Sequence, residues 1–286
     1  MRVCATTYQT AGEFLGRTQA VLEEREAENS LMLGLCLRMN RFPEQIKNAP
    51  YFVTVERGEE LLVAAIMTPP HKLVIYADSP DRGEAFHLIV QDLLANHWRA
   101  PGVLGAPPVA EGFARAWADV TGERVTQGMR QRVYSLTQVN PPPVTHGSLR
   151  VAKKTDLPLL TQWALAFHHE AVPNNPLSDV EELVRRKTEQ AEIVIWEDGN
   201  PVSMAARARP TANGVAVNLV YTLPEQRRKG YASACVASLS QRLLDSGFKF
   251  CCLFTDLANP VSNSLYKKIG YNPVCDFTEY IFTAAT

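Results

Sequence analysis

An excess of charge of either sign is missing from this sequence: 29 Lys and Arg face 30 Asp and Glu, a formal net charge of −1. That balance removes the electrostatic case for nucleic acid or an anionic membrane surface as partner, so any basic site must be local. No apolar run approaches the ~18 residues of a membrane span, and no apolar leader segment stands at the start. A soluble, cytoplasmic protein, monomer or homodimer, is therefore expected. Cysteine is sparse. Cys4, Cys36, Cys235, Cys251, Cys252 and Cys275 form no CxxC pair and have no His at zinc-like spacing. Buried, reduced thiols are expected, and no metal. Cys251 and Cys252 sit in the strand-like run Lys249 to Phe254 and are expected to pack. A G-x-S-x-G elbow, a Ser-His-Asp arrangement, a GxxxxGK[ST] loop and a GxGxxG with a downstream ribose-binding acid are all absent as well. Hydrolysis by an activated serine and ATP or dinucleotide binding lose their motifs.

What the sequence does have is length for two domains, at 286 residues with 46% hydrophobic composition. The clearest break is Asn140 to Gly147, where Pro141, Pro142 and Pro143 favour a stiff extended spacer. It separates residues 1–139 from 148–286, and the two halves repeat an order of elements. Each opens with a short strand and a helix start: Arg2 to Ala5 before Thr10 to Glu13, and Leu149 to Ala152 before Thr155 to Pro158. Thr10 with Glu13 reads as a capping box, and Thr155 and Asp156 are capping candidates. Two-strand passages follow, Glu60 to Met67 with Lys72 to Tyr76, and Glu192 to Ala206 with Val215 to Thr222. Helices come next (Ala85 to Ala95; Tyr231 to Ser246). Each half then has a strand candidate, a short helix (Phe113 to Val120; Val261 to Ile269) and a closing strand (Arg132 to Thr137; Glu279 to Thr283). Glu23 to Arg41 reads as a helical pair on the first sheet. The alternation predicts an α/β (α+β) fold, a mixed central sheet flanked by helices, used twice.

The chemistry lies in the second half. Val215-Ala216-Val217-Asn218-Leu219-Val220-Tyr221-Thr222 is a buried-strand run that turns through Pro224 into Arg227-Arg228-Lys229-Gly230. A helix follows, its stripe Ala232, Val236, Leu239 and Leu243 ending before Gly247. The first amides of a helix lack intrahelical partners and carry the positive end of its dipole, so a basic, glycine-containing loop at that point can hold a diphosphate. For three basic residues alone, a solvated turn would be the better reading. Farther on, Asn259 suits an N-cap and Pro260 the first helical position. At about 100° per residue Val261, Leu265 and Ile269 form the expected apolar seam, and Asn259, Asn263 and Tyr266 a second stripe away from it.

In context, Arg227 to Ala232 resembles the Q/R-x-x-G-x-G/A loop of the GNAT superfamily of acyl-CoA-dependent N-acyltransferases, and Asn259 to Tyr271 is similar to that family's closing motif. The resemblance implies acetyl-CoA as co-substrate. Arg227, Arg228, Lys229, Gly230, Tyr231, Ala232 and Ser233 would meet its pyrophosphate. Val220, Tyr221 and Thr222 would meet its pantetheine and acyl carbonyl, and Asn259 or Asn263 another part of it. Tyr266 would protonate the leaving thiolate. The implied reaction is direct transfer to an amine of a small-molecule or peptide acceptor, without metal. The alternative is a non-catalytic acyl-CoA-binding or sensing module. His168, His169, Glu170 and Asp256 are polar neighbours, none of them assigned as base. In the first half, Asp78, Asp81 and Glu84 replace the basic run, and Trp117 stands roughly where Tyr266 does. That half reads as a degenerate copy that would repel a pyrophosphate.

Overall fold

The computed structural model describes residues 2–143, 145–173, 175–177 and 179–285; Val144, within the proline run, lies outside them. Two compact units emerge: Met1–Arg132 with Cys275–Thr286, and Val133–Val274. The last residues of the chain, read from the sequence as closing the second half, are thus counted with the first unit.

Up to its closing strand, the first set of elements comprises β1 (Val3–Tyr8), α1 (Ala11–Glu23), α2 (Ser30–Arg41), β2 (Tyr51–Arg57), β3 (Glu60–Met67), β4 (Leu73–Ala77), α3 (Gly83–Ala95), β5 (Gly102–Gly105) and α4 (Pro107–Thr121). The closing strand is β6 (Arg124–Leu136). The second set is β7 (Ser148–Val151), α5 (Leu157–Ala171), α6 (Val180–Glu189), β8 (Ile193–Asp198), β9 (Asn200–Ala208), β10 (Gly214–Thr222), α7 (Tyr231–Asp245), β11 (Phe250–Asp256), α8 (Pro260–Lys268) and β12 (Asn272–Thr283). The order of strand, two helices, three strands, helix, strand, helix, strand occurs twice. The duplication expected from sequence is present in the elements themselves. Four details differ from expectation: β2 and α6 were not foreseen, Glu23 to Arg41 holds a turn and the single helix α2 where a helical pair was read, Glu192 to Ala206 is a hairpin and not one strand, and both closing strands are longer. The hairpin turns on Gly199, where Asp198 faces Asn200 and φ is +68°.

In the first unit β1 to β4 pair antiparallel, and β4 runs parallel to β5. Thr10 caps α1 with the reciprocal capping box that its spacing to Glu13 foretold. One face of the sheet packs Phe86, Ile89, Phe113 and Trp117, the other Phe14, Leu22 and Leu33. In the second unit β7 to β10 pair antiparallel, and β10 runs parallel to β11. Here Val236, Leu239, Leu243 and Ile269 cover one face, and Leu160, Trp163 and Val184 the other. Full burial of each such aliphatic side chain stabilises by roughly 1.5–3 kcal/mol. Both units are therefore sheets with helices on both faces, and the strand-loop-helix β10–α7 lies at the centre of the second.

Candidate functional site

Two irregularities in β10 create the site. Its ladder with β9 slips between Asn218, opposite Ala206, and Tyr221, opposite Met204, leaving one extra residue on β10. Leu219 takes up the slip in the left-handed region at φ +50°. Such a bulge bends the strand and exchanges its faces. Leu219 and Tyr221 accordingly pack with the α5 side, and Val220 with the α7 side. The parallel ladder to β11 is also short, running from Gly214–Phe250 to Ala216–Cys252. Past Ala216, the two strands part. Among the described residues β10 has no ladder partner on that side beyond this point, so its backbone groups there are available to a ligand.

The loop after β10 begins with a single helical turn, Pro224–Gln226. Arg228 and Gly230 are then both left-handed, at φ +64° and +86°, with Lys229 between them. Alternation of this kind turns successive amides toward one concave side, where an anion can sit. No side chain caps α7, whose N-cap is Gly230 itself. The amides of Tyr231, Ala232 and Ser233 are therefore the open positive end of a fifteen-residue helix. A Cβ on Gly230 would lie 2.8 Å from Thr145 Oγ1, which would have to shift, and the φ of +86° disfavours any side chain there.

The charges around the loop divide. Arg227 is engaged: its guanidinium donates to Glu170 at 2.8 and 2.9 Å and to the Thr222 carbonyl at 3.0 Å. It ties the end of α5 to the end of β10. Lys229 donates to Gln226 at 2.8 Å. Arg228 is exposed and has no partner among the described residues. Tyr231 is anchored by burial of its ring and by a 2.5 Å bond from its hydroxyl to Asp198, which raises its pKa.

The α8 side departs from the seam read in the sequence. Val261 is 75% exposed, whereas Tyr266 and Ile269 are buried. The helix rests on Tyr266, whose ring meets Tyr271 edge-on at 5.9 Å. The separate polar stripe is therefore no stripe: its aromatic member belongs to the core. Burial raises the Tyr266 pKa, which keeps the phenol protonated. Its hydroxyl makes no hydrogen bond among the described residues and is not among their sealed, unpartnered atoms. Asn259 is an N-cap, accepting from the Ser262 amide at 3.0 Å. Asn263 donates to the carbonyls of Asp256 and Asn259 and accepts from Tyr134 at 2.9 Å, so its side chain braces the end of β11. Asp256 and Glu170 are likewise engaged, Asp256 with the Ala258 amide at 2.8 Å. His168 and His169 lie in the last turn of α5.

The first unit differs where the expectation of degeneracy placed the difference. Arg82 at the start of α3 is held by Asp78 at 2.6 and 2.7 Å. The fourth residue of α3 is Phe86, which reaches Gly112 and Phe113 of α4; the fourth of α7 is the small Ala234. Trp117 is buried, stacked on Phe282 at 4.8 Å and bonded to Glu123. Sequence reasoning did not single out Thr145, Glu170 as the Arg227 partner, or Asn218. The one polar residue inside an apolar strand run was the available signal for Asn218.

A sheet with helices on both faces, a bulged strand, a parting of parallel strands and an uncapped helix after a basic glycine loop define a class of α/β fold. Comparison identifies it. Residues 157–271 match the acetyltransferase (GNAT) family model, and this part of the chain is a GNAT-family domain. A GNAT-family acetyltransferase from Colwellia psychrerythraea is similar in fold over 98% of this chain and 100% of its own, with a TM-score of 0.61 and 13% identity. A GCN5-related N-acetyltransferase from Sphaerobacter thermophilus is similar over 99% and 96%, with a TM-score of 0.66 and 15% identity. A tandem GNAT protein from the clavulanic acid biosynthesis pathway covers 100% of this chain with 99% of its own, at a TM-score of 0.60 and 14% identity. The whole chain thus has the fold of two GNAT-like domains in tandem. No curated protein matches the sequence.

Proposed function

We propose that the second unit is a cytoplasmic N-acetyltransferase that moves an acetyl group from acetyl-CoA directly to the amine of a small-molecule or peptide acceptor. One observation carries the reading: the uncapped start of α7, preceded by left-handed Arg228 and Gly230, lies beside the parting of β10 and β11. The residues present fit a coenzyme diphosphate. Three helix-end amides, the Arg228 charge and the bare Gly230 backbone offer donors and room for it. The co-substrate supplies an activated thioester. β10 residues Val220 to Thr222 hold its acyl arm through main-chain groups, and one such amide meets the charge that develops on the carbonyl oxygen. The neutral amine adds to the thioester carbonyl to form the C–N bond. As the C–S bond breaks Tyr266 gives its phenolic proton to the departing sulfur, and the proton shed by the amine nitrogen passes to water, from which the phenolate is reprotonated. A buried phenol with a raised pKa holds that proton at neutral pH.

Tyr266→Phe tests the chemical half of this reading. Turnover measured by thiol release falls roughly 10²-fold, while the affinity for acetyl-CoA stays within a factor of two or so, since no binding contact is removed. Undiminished turnover would discard the acid role.

A further inference from the structure

Among the sealed polar atoms of the second unit that have nothing to bond, one is on β10 and one just past the end of β9. Asn218 Oδ1 and Arg209 Nε are sealed from solvent and lack a hydrogen-bond partner among the described residues. No ion pair to Arg209 is present among them either. Buried donors and acceptors are almost always satisfied, so orphans on neighbouring strands call for a partner that is not part of the chain.

Both lie on the face of the sheet opposite α7. Asn218 faces Ala206 across β9, and Ala216 faces Ala208. Cross-strand partners share a face and alternate residues return to it. Ala206 packs with Trp163 and Val184 of α5 and α6, which assigns Asn218 to that side. Ala208, Ala216 and Cys252 form a small patch on the same side, across the last rung of the β10–β11 ladder. Arg209 follows Ala208 in a left-handed conformation, φ +43°, so strand alternation does not set its direction. Its neighbours do. The Arg209 charge acts on the Cys252 thiol and on the Lys187 ammonium of α6. Lys187 is itself committed, donating to Glu192 and to the Arg207 carbonyl at 2.8 Å each. Arg209 has no such partner among the described residues; Arg207, whose Nε is also unpartnered, stands opposite Val217 and so belongs to the other face. Arg209 and Asn218 are each partly exposed as whole residues, so a route to them remains.

We infer that a molecule whose diphosphate rests at the start of α7 reaches the α5–α6 face where β10 and β11 part past Ala216, and that Arg209 and Asn218 recognise the acceptor, Arg209 pairing with an anionic group, foremost a carboxylate, and the Asn218 carbonyl accepting an N–H of the amine. A planar guanidinium matches a carboxylate in two parallel bonds, and an amide oxygen suits an ammonium or amine donor. The acceptor class is then an amine that also carries an acid group, as amino acids do. This inference rests on the acyl-transfer reading above.

Calorimetry on the full chain saturated with coenzyme A tests it, titrating common L-amino acids, the matching amino-acid amides and O-phosphoethanolamine. Acids should bind at least ~10-fold more tightly than amides, the worth of a charge-assisted pair. Arg209→Met should erase the preference, Arg209→Lys should retain part of it, and acetyl-CoA affinity should be the same in all three proteins. Because the unpaired cation is costly to bury, Arg209→Met should melt no lower than the parent. Tighter binding of O-phosphoethanolamine than of the acids would uphold the anion site with phosphate as its group. A parent protein without acid preference, or a preference surviving Arg209→Met, would overturn the inference. Thiol release separates the two readings. Acids that bind without release would leave this site standing and remove the transferase reading, whereas amides consumed as fast as acids would do the reverse.

Discussion

Arg227 and Arg228 are adjacent in a basic run, yet the backbone gives them different work. Arg228 is turned by its left-handed φ and left without a partner, while Arg227 is drawn to Glu170 and the Thr222 carbonyl. Its pair with Glu170 is about half exposed on both sides, the kind of ion pair worth about 0–1 kcal/mol. Arg227→Ala should therefore weaken acetyl-CoA binding by less than ~5-fold. A loss of two orders of magnitude in calorimetry would show that Arg227 contacts the co-substrate after all. No sequence pattern separates these two arginines, because the distinction arises from a residue 57 positions away. The conformation of Gly230 was more legible: a glycine just before a helix suggests a backbone position that favours no side chain, and Gly230 is the N-cap of α7 at φ +86°.

At the scale of elements, α8 is the instructive case. Its boundaries, N-cap and first proline were readable, since capping is a local property of Asn259 and Pro260. Its orientation was not. Hydrophobicity nominated Val261, Leu265 and Ile269 for the seam; Ile269 is buried and Leu265 packs on the core as read, but Val261 is exposed and Tyr266 is buried in its stead, because a nine-residue helix that follows β11 is oriented by what it packs on. Val261→Ser should change unfolding free energy by no more than about 0.5 kcal/mol, and Ile269→Ala should cost roughly 2–5 kcal/mol. Denaturant titrations of the two variants check this, and the reverse ranking would restore the sequence seam. The bulge in β10 was equally hidden, for Leu219 carries no glycine to advertise its positive φ. By comparison α7 was read nearly to the residue, its stripe strong and its ends marked by Gly230 and Gly247.

At the scale of the whole molecule, the twofold repetition of elements was visible in the sequence because strand and helix patterns survive when identities do not. The membership of the closing strands was not, since both units offer a sheet to join and the pattern of a strand does not name its neighbour. Stability should carry a pH dependence set by the buried thiols. Burial pushes Cys235 and Cys251 up to about 12, above the ~8.5 of an exposed thiol. A raised folded-state pKa means the stabilisation is intact below the unfolded value and is lost as pH climbs from about 8.5 toward 12. Urea unfolding at pH 7, 9 and 10.5 should show a falling free energy, and a flat profile would show the thiols to be exposed. The central claim is that amides between residues 228 and 233 hold the diphosphate, once per chain. Its most direct test is calorimetry of acetyl-CoA with the parent protein and with Gly230→Glu, both checked for an intact melting transition. One site per chain, and a loss of ~100-fold or more on placing an acidic side chain at the diphosphate, is the result predicted; equal affinity in the two proteins would contradict it.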